Sequence, residues 1–446
     1  MIAPGFSKQG LQVMAKPIGP ICNLDCSYCY YLGKKDLYPN GRRWGMTEQT
    51  LTAYIRQQIE AQPAGMEEIH FHWQGGEPTL LGLEFFRSAV KIQQQYVPPA
   101  KRVTNSLQTN GTLLTDAWCE FFLEKDFLIG ISMDGPAELH DVYRLDKRER
   151  PTHSKAEQGR RLLSKHGVNY NALVVVNRCN GERPLEVYRF FKRQGINFIQ
   201  FIPLVERAGS VEQSVTDVHP ASRIEAPSNL VTERSVRPRQ FGDFLIAIFD
   251  EWLRQDVSRV FVQIFDEALA AWCGSSPSLC IFQKYCGRCL ALEHNGDLYS
   301  CDHFVEAQYK LGNIHQTSIL ELANSEGQQK FGTDKESNLP HYCHSCHFCF
   351  ICNGECPRNR FLYTPEGEPG LNYLCEAYRG FYKHVEPVMK EMTEELYQGR
   401  PAVNIMHRRN AVMPGSQQQA RTSRHKIGRN APCFCGSGRK YKQCCG

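Results

Sequence analysis

The sequence has no long run of apolar residues. The longest, near Phe244 to Phe249, falls far short of the roughly 20 residues that cross a bilayer. The segment MIAPGFSK at the amino terminus lacks a basic stretch followed by an apolar one, so no secretory signal is expected. Charge of one sign is also scarce. A net charge of +5 over 446 residues is mild and gives no reason to expect nucleic acid as a partner. These absences point to a cytoplasmic protein without a membrane span. Composition is otherwise that of a globular chain, 41% hydrophobic and 22% charged, and the length calls for two or three domains.

Cysteine is what the chain has in excess, with 20 residues. In a reducing compartment, clustered cysteines are expected to ligate metal rather than form disulfides. Cys119, Cys179 and Cys273 stand alone and read as small buried hydrophobes. The others form three groups: Cys22, Cys26 and Cys29; ten between Cys280 and Cys375; and Cys433, Cys435, Cys444 and Cys445.

From about residue 10 to 205, apolar strands alternate with amphipathic helices. The strands are expected at Gly10–Lys16, Glu68–Trp73, Lys101–Thr109, Phe127–Met133, Asn169–Val176 and Phe198–Pro203. The helices between them are expected at Thr47–Gln62, Leu83–Tyr96, Thr115–Lys125, Lys155–His166 and Pro184–Gln194. Repeated βα units imply a parallel sheet, here an α/β partial (β/α)6 barrel of TIM type, with its site at the C-terminal strand ends. The polar stretch 206–239 reads as an excursion loop within a first domain of residues 1–240. A helix is expected over Phe241 to Gln255, opening a cysteine-rich domain at 241–398 that metal, rather than a large core, organises. Residues 399–428 read as a basic linker: Arg400 to Arg429 carries seven Arg or Lys and no Asp or Glu. Residues 429–446 form a compact cysteine-rich end.

The first group, CNLDCSYCYY, has C-x3-C-x2-C spacing. Three thiolates hold three irons of a four-iron cubane and leave the fourth open, or they form a zinc knuckle that lacks a ligand. The second group runs Cys280-x5-Cys286-x14-Cys301, then Cys343-x2-Cys346-x5-Cys352-x3-Cys356-x18-Cys375, with Cys289 and Cys349 as extras. That is enough for two fully ligated four-iron clusters, while its C-x2-C pair also fits zinc. RNAPCFCGSGRKYKQCCG supplies four thiols around a Gly-Ser-Gly turn, a closed tetrahedral zinc set.

Cys22, Cys26 and Cys29, with Tyr28 before the last and a strand before the first, resemble the radical S-adenosylmethionine (SAM) signature. WQGGEP after the second strand, TNG after the third and SMDGP after the fourth resemble the loops with which that superfamily holds SAM. The second cysteine group resembles the SPASM extension of peptide-modifying members. PIGPICNLDCSYCYY, WQGGEPTLLG, TNGTLL, SMDGPAELHDVYR, QFIP, YSCD, LGNI, CNGECP and LNYLC together are similar to the anaerobic sulfatase-maturating enzymes over about residues 10 to 390. The final 18 residues resemble the SEC-C zinc motif.

The resemblance implies three 4Fe-4S clusters, one SAM-binding and two auxiliary, with zinc in the tail. Cys280, Cys286, Cys301 and Cys356 would hold one auxiliary cluster; Cys343, Cys346, Cys352 and Cys375 would hold the other. Tyr28, Gly75, Gly76, Glu77, Asn110, Ser132, Arg144 and Ile199 would bind SAM, with Arg144 as a forked donor to a carboxylate and Ile199 lining the adenine. Asp302 would be the general base in an oxidation of cysteine or serine to Cα-formylglycine. The implied partners are a sulfatase polypeptide, an electron donor such as flavodoxin or ferredoxin, and a docking partner for the zinc tail. A SPASM maturase of small ribosomal peptides shares the same clusters, and a zinc-binding adaptor is the non-enzymatic alternative.

Overall fold

The structure is a computed structural model that describes residues 10–38, 44–208, 230–406 and 408. Most of the expected excursion loop (209–229), the linker beyond 408, and the tail with Cys433, Cys435, Cys444 and Cys445 lie outside the described residues.

Six parallel strands follow the expected order: β1 (Gln12–Lys16), β2 (Glu68–Trp73), β3 (Arg102–Thr109), β4 (Phe127–Ser132), β5 (Tyr170–Val176) and β6 (Phe198–Pro203). Their connecting helices are Glu48–Glu60, Leu83–Tyr96, Asp116–Glu124, His153–His166 and Pro184–Arg193. Local chemistry sets these limits. Thr47 Oγ1 accepts the amide of Thr50 at 3.2 Å and starts the first helix. Gly167, left-handed at φ 70°, stops the fourth.

Alternation along each strand separates two environments. On β2, Ile69, Phe71 and Trp73 are buried toward the helices, where Phe71 and Trp73 pack edge-on to Tyr54. His70 and His72 occupy the other face and meet Thr104 and Ser106 of β3 at 2.6 and 2.8 Å.

Two features exceed the sequence reading. A short β7 (Phe261–Val262) extends the sheet beyond β6, and β8 (Cys289–Glu293) joins its other edge, running parallel to β1 from Gln12↔Cys289 to Lys16↔Glu293. Strands β9 (Asp297–Tyr299) and β10 (Lys310–Asn313) follow antiparallel, giving a ten-stranded open sheet, β10-β9-β8-β1-β2-β3-β4-β5-β6-β7. The cysteine-rich region also contributes a 23-residue helix, Cys375–Tyr397. Phe381 stacks on Phe265 and meets Phe249 edge-on, with centroids at 5.6 and 6.1 Å, while Tyr378 meets Phe241 at 5.9 Å. This region shares one apolar core with the sheet helices, contrary to an organisation by metal in place of a core.

Candidate active site

The first cysteine group lies in the loop that leaves β1, bound to the loop that leaves β2. Gln74 donates its amide to Ala15 O at 2.9 Å, Gly76 to Gly19 O at 2.8 Å and Glu77 to Ile21 O at 2.8 Å. A Cβ on Gly76 would lie 1.9 Å from Ile21 O, and Gly75 is left-handed at φ 131°, so both positions require glycine. Glu77 is buried. Its Oε1 accepts from the Thr79 amide and hydroxyl and from Thr109 Oγ1, and its Oε2 accepts the Asn110 amide at 2.8 Å. The GGE segment thereby ties three strand ends together. Asn110 also brings its amide nitrogen to 3.8 Å from Cys22 Sγ.

Cys26 faces a second assembly. Asp134 Oδ2 accepts from the Tyr28 hydroxyl and from Arg144 Nε at 3.0 Å, and Asp134 Oδ1 accepts the Val175 amide at 3.0 Å. The Arg144 guanidinium sits 5.5 Å from the Tyr28 ring centre, and its charge acts on Cys26. Only Nε of Arg144 is engaged with Asp134. Ser132 ends β4 two residues before Asp134. Ile199 is not brought to this site. It is 2% exposed on the helix-facing side of β6 among core residues, and alternation puts Gln200 and Ile202 on the open face.

Asp302 lies between the first and second cysteine groups. Its Oδ1 is ion-paired with the ammonium of Lys16, the last residue of β1, and its Oδ2 accepts the Tyr30 hydroxyl at 2.8 Å. Lys16 is 1% exposed and lies 4.5 Å from the centre of the Tyr31 ring, whose hydroxyl donates to Glu293. Burial raises the Asp302 carboxyl, but Lys16, His303 and the Tyr30 bond outweigh it and hold it below the ordinary range.

The other thiols converge in two sets. Cys301 senses Cys280 and Cys286, and Cys356 senses Cys301 and Cys286. Cys343 senses Cys375, Cys349 and Cys346, and Cys352 senses Cys375 and Cys343. The extras remain adjacent: Cys289 shares a hydrogen bond with Cys280, and Cys349 neighbours Cys346.

These donors fit iron–sulfur clusters. Burial pushes the thiols of Cys22, Cys26 and Cys343 up to about 11, 12 and 12, so neighbouring cationic metal is needed for them to act as thiolates. Among the described residues, no three His, Cys, Asp or Glu side chains close on a single metal ion. The sequence reading missed Lys16, Tyr30, Asp134 and Glu293. A buried Lys or Glu runs against hydropathy, and Asp134 was visible only as part of SMDGP.

Comparison with known proteins agrees with this arrangement. The radical SAM superfamily matches residues 17–199, an iron–sulfur cluster-binding domain (SPASM) matches 280–347, and the SEC-C motif matches 429–446. The serine-type anaerobic sulfatase-maturating enzyme of Bacteroides thetaiotaomicron is 47% identical over 396 residues, 89% of this chain and 94% of that one. The cysteine-type enzyme of Clostridium perfringens (strain ATCC 13124) is 31% identical, covering 84% of this chain and 96% of its own. A solved structure of anSMEcpe with bound AdoMet and Cp18Cys peptide superposes with TM-score 0.74 at 29% identity, over 86% of this chain and 99% of that one. Streptococcus suis SuiB bound to precursor peptide SuiA shares the fold, with TM-score 0.56 at 13% identity over 82% of this chain and 76% of its own.

Proposed function

The chain belongs to the anaerobic sulfatase-maturating enzymes of the radical SAM superfamily, and from that premise we propose how its own residues carry out the reaction. The reaction oxidises a cysteine or serine of a sulfatase peptide to Cα-formylglycine without oxygen. With 47% identity to a serine-type enzyme and 31% to a cysteine-type one, serine is the expected natural target and cysteine a second substrate.

Cys22, Cys26 and Cys29 would hold the SAM-binding cluster. Cys280, Cys286, Cys301 and Cys356, and Cys343, Cys346, Cys352 and Cys375, would hold the auxiliary pair. When loaded, the first cluster together with SAM would supply hydrogen abstraction from the target Cβ, and the auxiliary pair would supply a sink for the electron left behind. The remaining work belongs to the chain. Gly75 and Gly76 let backbone approach the SAM methionine end, and Glu77 and Asn110 fix that loop. Arg144 directs its free guanidinium edge toward a carboxylate, while Asp134 and Tyr28 orient it. Ser132, at the end of β4, would contact SAM.

Asp302 receives the proton of the target hydroxyl or thiol. The observation that carries this assignment is its position: beside Cys301, one hydrogen bond from Tyr30, and anchored by Lys16 at the strand-end face. A low-potential donor of the flavodoxin or ferredoxin class supplies the starting electron. The reaction belongs in the cytoplasm, where thiols stay reduced, and no helix among the described residues is long and apolar enough to cross a membrane. Cys433, Cys435, Cys444 and Cys445 would hold zinc in a tail that docks a partner.

The test uses anaerobically reconstituted enzyme with sulfatase peptides carrying C/S-x-P-x-R. Asp302→Asn is expected to keep SAM cleavage and lose most formylglycine formation. Peptide turnover near wild type in that variant would show that another group takes the proton.

A further inference from the structure

Between the two auxiliary thiol sets lies a buried charge that the reaction as described does not use. Cys352 belongs to one set and Cys356 to the other, and three residues join them. All three are left-handed: Asn353 at φ 44°, Gly354 at φ 68° and Glu355 at φ 53°. Two consecutive positions of this kind are uncommon for L-residues, and three together need strong support from their surroundings.

Arg360 gives that support. Its Nε donates to Gly354 O at 2.8 Å, and its Nη2 donates to Asn353 O at 2.8 Å and to Glu355 O at 3.1 Å. Its Nη1 donates to Lys335 O. The guanidinium thus fills the bend with four carbonyl bonds. A Cβ on Gly354 would lie 2.7 Å from Nη2, so the contact is close enough to require glycine there.

Among the described residues, Arg360 forms no ion pair with a carboxylate, and it is 6% exposed. Its positive charge therefore acts on the thiols around it, Cys286 on one side and Cys343 and Cys352 on the other, and on the Glu355 carboxylate. Two further buried charges frame it. Lys335 donates to the carbonyls of Cys280 and Ile281, both at 2.8 Å. The Glu355 carboxylate is held by Asn372 at 2.6 Å and Asn359 at 3.1 Å, next in sequence to Cys356.

Burying an unpaired guanidinium is costly in an apolar interior and is tolerated where negative charge surrounds it. Four thiolates on each side supply that charge when both clusters are present. A fixed cation beside a cluster favours its reduced, more negative state, and net charge and hydrogen bonding are among the factors that set cluster potentials. We propose that Arg360 is a positioning residue for electron removal: it holds the Cys352–Cys356 bend and acts as a shared counter-charge that raises the reduction potentials of both auxiliary clusters, with Glu355 opposing it. This rests on the cluster assignment above.

The test compares full-length wild type, Arg360→Gln, Arg360→Lys and Glu355→Gln after anaerobic reconstitution. Three quantities are read: iron per chain, auxiliary-cluster midpoint potentials from a redox titration followed by electron paramagnetic resonance, and formylglycine formed per deoxyadenosine. Arg360→Gln is expected to keep about twelve irons. Its auxiliary potentials should fall by at least tenfold in the reduction equilibrium, ~59 mV for one electron. It should also form less product per deoxyadenosine. Arg360→Lys should stay near wild type, and Glu355→Gln should shift the potentials upward. Unmoved potentials in an iron-replete Arg360→Gln overturn the proposal. So does equal iron loss in Arg360→Gln and Arg360→Lys, which would make the residue a strap without an electrostatic role, and so does a downward shift in Glu355→Gln. Wild type that binds only about four irons overturns the cluster assignment and this proposal together.

Discussion

Lys16 shows how much of the chemistry depends on single buried charges. It ends β1, is almost wholly buried, and pairs with Asp302 across the junction between the two halves of the chain. Breaking a buried pair strands the remaining charge and costs about 3 kcal/mol or more. Lys16→Met is therefore expected to lower the melting temperature and depress peptide oxidation more than SAM cleavage, measured as formylglycine per deoxyadenosine. An unchanged ratio would separate Lys16 from the proton acceptor. His72 allows a test of pH linkage away from the cysteines. Burial, with His70 nearby, pushes its imidazole down to about 4 from an ordinary 6.5. The unfolded chain takes up this proton below pH 6.5, whereas the folded one resists until about pH 4. Its contribution is thus fully present above 6.5 and is lost as pH falls through that window, at most about 1.4 kcal/mol per pH unit. His72→Gln is expected to lessen the drop in melting temperature between pH 7 and pH 5. Ile199 marks where the sequence is weakest as a guide to single residues. Strand β6 was placed correctly, but a period of two makes a shift of one residue a change of face, and hydropathy alone does not assign an isoleucine to a site or to a core.

At the scale of elements, the strands and helices of the first 205 residues were legible to within a few residues. The strands place apolar residues at every second position, as Ile69, Phe71 and Trp73 do on β2, and their helices carry caps such as Thr47 and Gly167. The cysteine loops were legible from spacing. The mutual grip of the β1 and β2 loops was not, because it runs through backbone amides that carry no residue signature. That grip yields a sharp expectation. Gly76→Ala pushes a methyl into Ile21 O, so the cysteine loop has to move. The variant is expected to lose about four of about twelve irons and all SAM cleavage while keeping its auxiliary clusters. Full iron content in that variant would show that the loop adjusts without loss. The Cys375–Tyr397 helix falls in the region expected to be organised by metal rather than by a large core, although Tyr378, Phe381, Tyr382, Val385 and Met389 repeat at helical spacing.

The molecule as a whole joins its parts unequally. Residues 429–446 match the SEC-C motif and lie apart in sequence from the radical SAM and SPASM regions. Deleting Arg421–Gly446 is expected to remove one zinc and spare turnover of short peptides within about twofold, while impairing turnover of full-length sulfatase. Equal loss on both substrates would deny the tail a docking role. The cysteine-rich domain is different. Its β8 is hydrogen-bonded along the length of β1, and its last helix closes the core over the sheet helices. None of this was legible, since the partner of an edge strand is set by contacts far apart in sequence. For anyone dividing the protein, the domain boundary drawn near residue 240 is therefore not a place to cut. A fragment ending before β8 would carry β1 with one row of amides and carbonyls open, a template for self-association. The same seam suggests a split enzyme: a separately supplied fragment carrying β8 to the end of the chain would re-enter by strand addition, and restored turnover would report that the two pieces had met.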